Sequence, residues 1–507
     1  MKPARKVDGD WTAGLSYSRL TTTLRIVFCA LIALLVLPLG SVDPKPLHLF
    51  SFCFFLLAAI VVVTRPVPSN LRVVFVAGVT IACGLAAWIG FQAMDIPGNP
   101  LANPIWAQAE EFFGPMPRAI SVAPGDSIET LLQFMLPFIV FLSGLLLFSS
   151  DESARRLLRF LCIFGSAVAV FGLIEFIFFP TQLLLSKKET YFDSLTASFV
   201  NRNTAATFLG VTLLLNVALA FSHLQNAGVR DLLGMILGRK GRTEQTDLRW
   251  AIIHSVGGGL TFVALMLTRS RGGIGSSFLG LLIVLAILGY FGMYSSRRQG
   301  GFTRTSEPMW LRLGRVFGLL LGSFLIGSVF AGQALLRAEV QGGDDGRFCI
   351  MPGLLRLLSD NWLTGTGLGT FRDVFTPYKN PECGIRGVWV NAHNAYIEGW
   401  VTLGLPFMVV TVVSTVVLIA IFVRGIQTRR RLRWVPAAGL GLMVIVLAHS
   451  ALDFSMQIPG LSVFWAATIT ACVVVASERS ASRTHSPHSR RNETAQISSD
   501  SNTPINI

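Results

Sequence analysis

The sequence predicts an all-α polytopic membrane protein with about 12 transmembrane helices and a large helical loop between helices 9 and 10. Of its 507 residues, 52% are hydrophobic and only 14% are charged, whereas soluble domains carry roughly 25% charged residues. The apolar residues fall into blocks of about 17–25, the length that a helix needs to cross a membrane. These observations exclude an ordinary soluble domain.

The apolar blocks predict twelve spans. The first run, from roughly Thr22 to Leu39, lacks a small-residue cleavage site and therefore predicts a retained span. The tenth run is longer than a membrane requires, so its start is either part of the span or an interfacial turn. The predicted spans are residues 24–41, 46–64, 72–93, 129–149, 158–179, 203–223, 250–268, 273–293, 314–334, 394–423, 435–453 and 460–477.

The distribution of Lys and Arg predicts the orientation. With a cytoplasmic N-terminus, 29 of the 42 Lys and Arg residues fall on the cytoplasmic side and 13 on the other. This asymmetry is usual in membrane proteins, and it accounts for the net charge of +14 without nucleic acid. The chain is predicted as a cytoplasmic N-terminus at 1–23, a membrane domain at 24–477 and a disordered cytoplasmic tail at 478–507. The loops 94–128 and 335–393 are then extracytoplasmic.

Two arginines occupy the short extracytoplasmic turn "TRSRGG". Arg269 and Arg271 either snorkel to the membrane interface or bind an anion, since a guanidinium group suits phosphate oxygens. Gly272 and Gly273 leave room for close approach where the next helix begins. Arg347, after "GGDDG" in the large loop, is either a solvated charge or a second anion-binding group.

A histidine closes the large loop at the membrane border, in "NAHNAY". His393 either acts as a general base or hydrogen-bond donor, or serves as a polar interfacial cap of the tenth helix. Asn394 can itself cap that helix, and Glu398 lies further on within the predicted span. In "HSALDF", His449 and Asp453 stand at i and i+4 on one face of the eleventh helix. They either orient a catalytic group, bind a polar head group or link helices.

The sequence does not favour a metal or nucleotide site. It has no His-Glu-x-x-His motif, and the adjacent Asp344 and Asp345 are typical of a solvated loop. The stretch "GTGLG" resembles a phosphate-binding loop only weakly, because no Lys-Ser or Lys-Thr follows. Cys349 and Cys383, both in the large loop, are either a disulfide or two unrelated thiols.

The order and spacing of several motifs resemble the O-antigen ligase and polymerase family. The motifs are "NPIWAQAEEFFG", "ISVAPGDS", "TASFVNRNTAATFLG", "LTRSRGG", "GTGLGTF" and "AHNAYIEGWVTLGLPF". They extend from about residue 94 to residue 460. Family members have about twelve helices and a large periplasmic loop between the ninth and tenth, as predicted here. This sequence departs from the family pattern at Thr402, where many members have an acidic residue, and at Ser198, where Gly is commoner.

The resemblance implies a metal-independent glycosyltransferase without a cofactor in the bacterial inner membrane, with its active site on the periplasmic side. The implied donor is an undecaprenyl-diphosphate-linked glycan, and the implied acceptor is lipid A-core or another glycan. The family's functional residues match Arg271, Arg347 and His393, which are the candidate catalytic residues. The candidate substrate-binding residues are Arg269, Asn394, Asn203, Arg202, Tyr396, His449 and Asp453.

Four functions stay open at this point. The favoured one is an O-antigen ligase, and the alternatives are an O-antigen or exopolysaccharide polymerase, a protein O-oligosaccharyltransferase, and a polysaccharide or lipid transporter. A transporter needs charged groups along a path across the membrane. The groups within the predicted spans that could line such a path lie mostly near the outer side: Glu175, His254, Glu398, His449 and Asp453.

Overall fold

A computed structural model describes residues 10–184, 186–226, 245–298, 346–380 and 388–478. Over these residues the chain is predominantly helical, with one small hairpin of β1 (Gln182–Leu183) and β2 (Ser186–Lys187). The predicted all-α class is confirmed. Helices α1 to α15 are Asp10–Val36, Pro44–Thr64, Arg72–Ala93, Ile105–Phe113, Pro124–Leu147, Asp151–Phe178, Arg202–Asn226, Gln245–Leu267, Arg271–Arg298, Gly346–Asn361, Phe371–Phe375, Ala395–Leu403, Leu405–Thr428, Trp434–Ser450 and Pro459–Ser477.

Within the described ranges, ten helices are long and apolar enough to cross a membrane. They correspond to ten of the twelve predicted spans. The predicted eleventh span, 435–453, corresponds to the shorter apolar helix α14, which ends at Ser450. The predicted ninth span, 314–334, lies outside the described residues, as do the tail after residue 478 and Cys383.

Local signals explain where several helices begin. Asp43 caps α2 by accepting a hydrogen bond from the Lys45 amide, and Pro44 occupies the first helical position, where a missing N–H costs nothing. Ser150 caps α6 in a reciprocal arrangement with Ser153. Each of these polar caps directly precedes a long helix, so that α2 and α6 begin at defined residues.

The predicted tenth span is divided in two by Gly404. This glycine has φ +71°, a left-handed conformation that ends α12 at Leu403 and allows α13 to begin at Leu405. Glu398 therefore lies in a separate nine-residue helix and not in α13, the membrane-length helix that follows. The start of the run is thus separate from the long helix α13, although it forms a short helix rather than a turn.

The core of the bundle is built around α7 and α15. In each of these helices, 89% of the membrane-length apolar stretch is buried within the protein, whereas in α13 only 6% of that stretch is buried. Helices α9 and α14 approach so closely that a Cβ on Gly280 would lie 2.6 Å from the Gly441 carbonyl oxygen. Small residues at such crossings allow helices in a membrane to pack tightly. This packing fixes α7, α9 and α14 relative to one another at the candidate site.

The described parts of the two large loops pack together beside one end of the bundle. The Val122 amide donates a hydrogen bond to the Thr366 carbonyl (2.9 Å), and the Ser127 hydroxyl donates one to the Leu368 carbonyl (3.0 Å). In the "GTGLG" stretch, Gly367 has φ +102°, and a Cβ there would lie 2.6 Å from Ser121 Cβ. The glycines of this stretch thus allow close packing between the loops.

Candidate functional site

Polar side chains gather at the end of the bundle where α7, α9 and α12 begin and α14 ends. We call this region the site end. It contains Asn203 in α7, Ser270 just before α9, His393 just before α12 and Asp453 just after α14. These four residues come from separate parts of the chain, and hydrogen bonds connect three of them.

Asp453 is the centre of the hydrogen-bond network. Its side chain is fully buried, and Oδ2 accepts a hydrogen bond from Asn203 Nδ2 at 2.5 Å. Oδ1 accepts one from the Ser455 hydroxyl at 2.8 Å, while Asn203 Oδ1 accepts one from the Ser270 hydroxyl at 2.8 Å. A buried carboxylate needs such donors, because burial without them is costly. The network links α7 and α9 to the chain after α14.

The charge state of Asp453 follows from two opposing effects. Burial raises the pKa of its carboxyl group, but the His393 and His449 rings and the hydrogen bonds from Ser455 and Asn203 lower it more, so the pKa lies below its ordinary value. Asp453 is therefore a carboxylate at neutral pH. It places a fixed negative charge beneath the site.

His393 lies directly beside this carboxylate. Its Nδ1 is 3.8 Å from Asp453 Oδ2, which is too long for a direct hydrogen bond but close enough for electrostatic attraction. Buried Nδ1 has no hydrogen-bond partner among the residues that the structure describes. Trp389 and Phe454 meet the imidazole edge-on, with ring centroids 5.4 and 5.1 Å away. The side chain is still 24% exposed, so that a substrate can reach the ring.

The backbone of His393 is strained. Its φ is +52°, a left-handed conformation that is unfavourable for a residue with a side chain. The next residue, Asn394, caps α12: its Oδ1 accepts hydrogen bonds from the Tyr396 and Ile397 amides at 3.1 and 3.0 Å. Asn394 Nδ2 donates to the Ala451 carbonyl at 3.0 Å. The cap thus fixes His393 relative to the chain that carries Asp453.

His449 and Asp453 do not share a helical face as predicted. Helix α14 ends at Ser450, so i,i+4 geometry does not extend to Asp453. Instead, His449 Nδ1 lies 2.5 Å from the Thr207 hydroxyl, and its ring packs against Gly272 and Gly273. A Cβ on Gly272 would lie 3.1 Å from His449 Cδ2. His449 therefore links α7, α9 and α14.

The two arginines of the turn between α8 and α9 lie in different surroundings. Arg271 is the first residue of α9; its side chain is exposed, and its guanidinium forms no hydrogen bond or ion pair with any described residue. Arg269 has φ +53°, its Nη1 lies 3.8 Å from Asp193 Oδ2, and both residues line one small cavity. Exposed Arg271 is thus available to an anionic ligand next to a helix N-terminus, where such ligands are favoured.

The remaining predicted site residues have separate positions. Arg202, the first residue of α7, contacts Ser194 at 3.4 Å and lies over the Tyr191 ring. The Tyr396 hydroxyl donates a hydrogen bond to the Leu447 carbonyl at 2.8 Å, so it joins α12 to α14. The backbone of Arg347 lies in α10, but its side chain is not among the described ones.

Sequence analysis missed three hydroxyl residues of the network. Ser270 lies between Arg269 and Arg271 in the "TRSRGG" motif, so the same motif that indicated the arginines could also have indicated this serine. Thr207 and Ser455 carry no distinctive pattern, and only helix packing shows their contacts with His449 and Asp453. Among the described residues, no group of three or more His, Cys, Asp or Glu side chains is arranged to hold a metal ion.

The fold and the site define a polytopic membrane protein with a polar site built where its helices end. Residues 256–412 match the family model for O-antigen ligase. This segment includes Arg269, Arg271, Ser270 and His393, and the match supports the predicted resemblance to the O-antigen ligase family. Members of this family are membrane enzymes of the glycosyltransferase type. No curated protein matches the chain.

Proposed function

We propose that this protein transfers a glycan from undecaprenyl diphosphate to a sugar hydroxyl of lipid A-core, without a metal and with inversion at the anomeric carbon. The observation that carries the proposal is the pairing of the accessible His393 ring with buried Asp453 at the same end of the bundle as exposed Arg271. The family match over 256–412 supports the reaction class.

The arginines suit the leaving group. The bond between the sugar C1 and the diphosphate oxygen breaks, its electron pair stays on that oxygen, and the diphosphate gains negative charge. Arg271, and Arg347 from the large loop, would stabilise this charge by charge-assisted hydrogen bonds. The helix N-terminus at Arg271 adds free amide groups and a favourable dipole.

The histidine suits the acceptor. His393 would take the proton of the acceptor hydroxyl while its oxygen forms the new bond to C1 from the side opposite the leaving group. The Asp453 carboxylate, 3.8 Å from Nδ1, would stabilise the resulting imidazolium and hold the ring orientation. Attack from the opposite side inverts the anomeric centre. Each charge that develops therefore has a group of opposite charge in place.

The lipid tail of the donor would lie against the apolar outer surface of the bundle. Helix α13 supports this proposal, because it is strongly apolar yet only 6% of its membrane-length stretch is buried within the protein. The diphosphate would then reach the site end at the membrane border. We further propose that both termini are cytoplasmic and that the site end faces the periplasm of a bacterial inner membrane, as the Lys and Arg distribution favours.

A reconstituted transfer assay tests the function. Purified protein in liposomes receives lipid-linked glycan and lipid A-core, and the product is analysed for a new glycosidic bond in the presence and absence of a chelator. Chelator-resistant bond formation with inversion supports the proposal. Movement of the donor across the bilayer without bond formation would support a transporter instead.

Lipopolysaccharide from a deletion strain separates ligase from polymerase. A ligase defect removes all glycan chains from the core while the lipid-linked pool stays intact. A polymerase defect leaves single repeats attached to the core. Complementation with His393→Asn, an exchange that tolerates the left-handed backbone, is expected to fail in either case.

A further inference from the structure

A cavity opens beside Arg202 and Arg269, the chain neighbours of Asn203 and Ser270 in the Asp453 network. It has a volume of about 250 Å³ and is lined by Tyr191, Phe192, Asp193, Ser194, Arg202 and Arg269. Pockets for drug-sized ligands measure roughly 300–1,000 Å³. The cavity therefore suits a ligand of about one six-membered ring with its substituents.

The lining carries charges of both signs. Arg202 and Arg269 present guanidinium groups, whereas Asp193 presents a carboxylate 3.8 Å from Arg269. An anion attracted by the arginines would be repelled by Asp193, and an apolar chain would desolvate all three charges without replacing their hydrogen bonds. A neutral ring with several hydroxyl groups satisfies both kinds of partner, because each hydroxyl can accept from an arginine and donate to a carboxylate.

The walls of the cavity are held in place. Buried Lys188 donates a hydrogen bond from Nζ to the Ser194 carbonyl at 2.8 Å, which anchors the segment 191–194 from below. Tyr191 and Arg269, which line the cavity from separate segments of the chain, both have left-handed backbones, with φ of +57° and +53°. Such conformations persist in non-glycine residues only where the surroundings enforce them, and they are common at ligand-binding sites.

The cavity is coupled to the proposed catalytic site through adjacent residues. Arg202 and Arg269 line the cavity, while their chain neighbours Asn203 and Ser270 hydrogen-bond to each other at 2.8 Å within the Asp453 network. In each pair of chain neighbours, the arginine lines the cavity and the next residue belongs to the network. A ligand in the cavity would lie one residue from the groups that hold Asp453.

We propose that this cavity is a subsite for a single neutral hexopyranose unit of a glycan substrate. The ring oxygens and hydroxyls contact Arg202, Arg269 and Asp193, and its C–H groups pack against Tyr191. Which glycan supplies the sugar, the donor or the acceptor, rests on the proposed function. The subsite itself rests on the cavity alone.

Binding is tested by saturation-transfer NMR on the full-length protein in detergent, with methyl glycosides of glucose, galactose, mannose and N-acetylglucosamine as probes and inorganic phosphate as competitor. At least one glycoside is expected to bind, and Asp193→Asn and Arg269→Gln should each weaken its binding on the order of tenfold. Glu189→Gln, an exposed change in the same loop that does not line the cavity, should leave binding unchanged. Tyr191→Leu gives a second test if either variant fails to fold.

Two binding results would overturn the subsite: no glycoside binds the wild-type protein, or phosphate displaces the glycoside and still binds Asp193→Asn. The transfer assay then identifies the source of the sugar. If Asp193→Asn and Arg269→Gln raise the KM for the lipid-linked donor alone, the cavity belongs to the donor. If they raise the KM for lipid A-core alone, it belongs to the acceptor. Glycoside binding without any transfer would refute the proposed function while the subsite stands. Transfer without glycoside binding would refute the subsite alone.

Discussion

Asp453 lies with its carboxylate 3.8 Å from the Nδ1 of His393, although the two residues belong to different connections of the chain. The carboxylate is fully buried and hydrogen-bonded to Asn203 and Ser455, whereas the imidazole is partly exposed. A buried charge thus stands behind an accessible ring. This arrangement is typical of histidines that exchange protons with a substrate.

The first prediction concerns Asp453→Asn. The exchange keeps the shape but removes the charge behind His393, so kcat should fall roughly 10- to 100-fold with little change in KM. Because the pKa of Asp453 lies below its ordinary value, the wild-type group is ionised at neutral pH, and the rates of the two proteins are compared there. Asp373→Asn, an exposed change in α11, is the control. Equal rates for the variant and the wild type at neutral pH would contradict the assignment.

The second prediction concerns the three candidate catalytic residues. Arg271→Ala, Arg347→Ala and His393→Ala should each slow transfer by about 10²–10³-fold, as expected for the loss of one preorganised charge-stabilising or proton-accepting group. Arg271→Lys should also be slow, since a lysine lacks the planar fork of donors. Initial rates are compared after immunoblotting of the membrane fraction, with the exposed Arg372→Ala as the control. Near-normal transfer by His393→Ala would limit that residue to a structural role.

The third prediction uses two glycines of α9. A Cβ on Gly273 would overlap Ala206 of α7, whereas a Cβ on Gly275 would meet nothing within 4 Å. Gly273→Ala should lower the free energy of unfolding by about 1–3 kcal/mol through overpacking. Gly275→Ala should leave it unchanged or raise it by up to about 1 kcal/mol, because alanine favours a helix. Thermal unfolding in detergent measures both, and equal midpoints for the two variants would count against the close α7–α9 approach.

The fourth prediction concerns the pH dependence of stability. Burial raises the pKa of Glu398, although the Ala392 amide donates a hydrogen bond to it at 2.7 Å. Between its ordinary pKa of roughly 4.3 and the raised value, the folded protein binds more protons than the unfolded chain, so stability falls as pH rises through this interval. Glu398→Gln should abolish that part of the fall. Midpoints of thermal unfolding across this range test it, and identical slopes for both proteins would refute it.

The fifth prediction concerns orientation. In a background without reactive native cysteines, a cysteine at Asn380 or Arg347 should react with a membrane-impermeant maleimide from the periplasm. A cysteine at Arg430, between α13 and α14 at the other end of the bundle, should react only after permeabilisation. The excess of Lys and Arg on the opposite side from the large loop motivates this result. Labelling of Arg430 in intact spheroplasts would reverse the orientation.

The helices could be predicted well because a membrane selects for hydrophobicity that is visible locally. Helices α3 and α7 begin at Arg72 and Arg202, where spans were predicted to start at 72 and 203. The errors occur where the backbone changes direction within an apolar run, as at Gly404, or where a helix ends early, as at Ser450. A hydropathy pattern carries no information about φ at a single residue, so it does not show such breaks.

The sequence by itself determined the membrane architecture, the asymmetry of charge and the arginines and histidine that could serve a diphosphate and a sugar hydroxyl. These depend on residue types and on short-range spacing. The tertiary structure alone decided which groups meet: Asp453 faces His393 and bonds to Asn203, while His449 turns toward Thr207. The reason is that these contacts join residues of separate helices and loops, and the close packing of α7, α9 and α14 sets their distances rather than any local pattern.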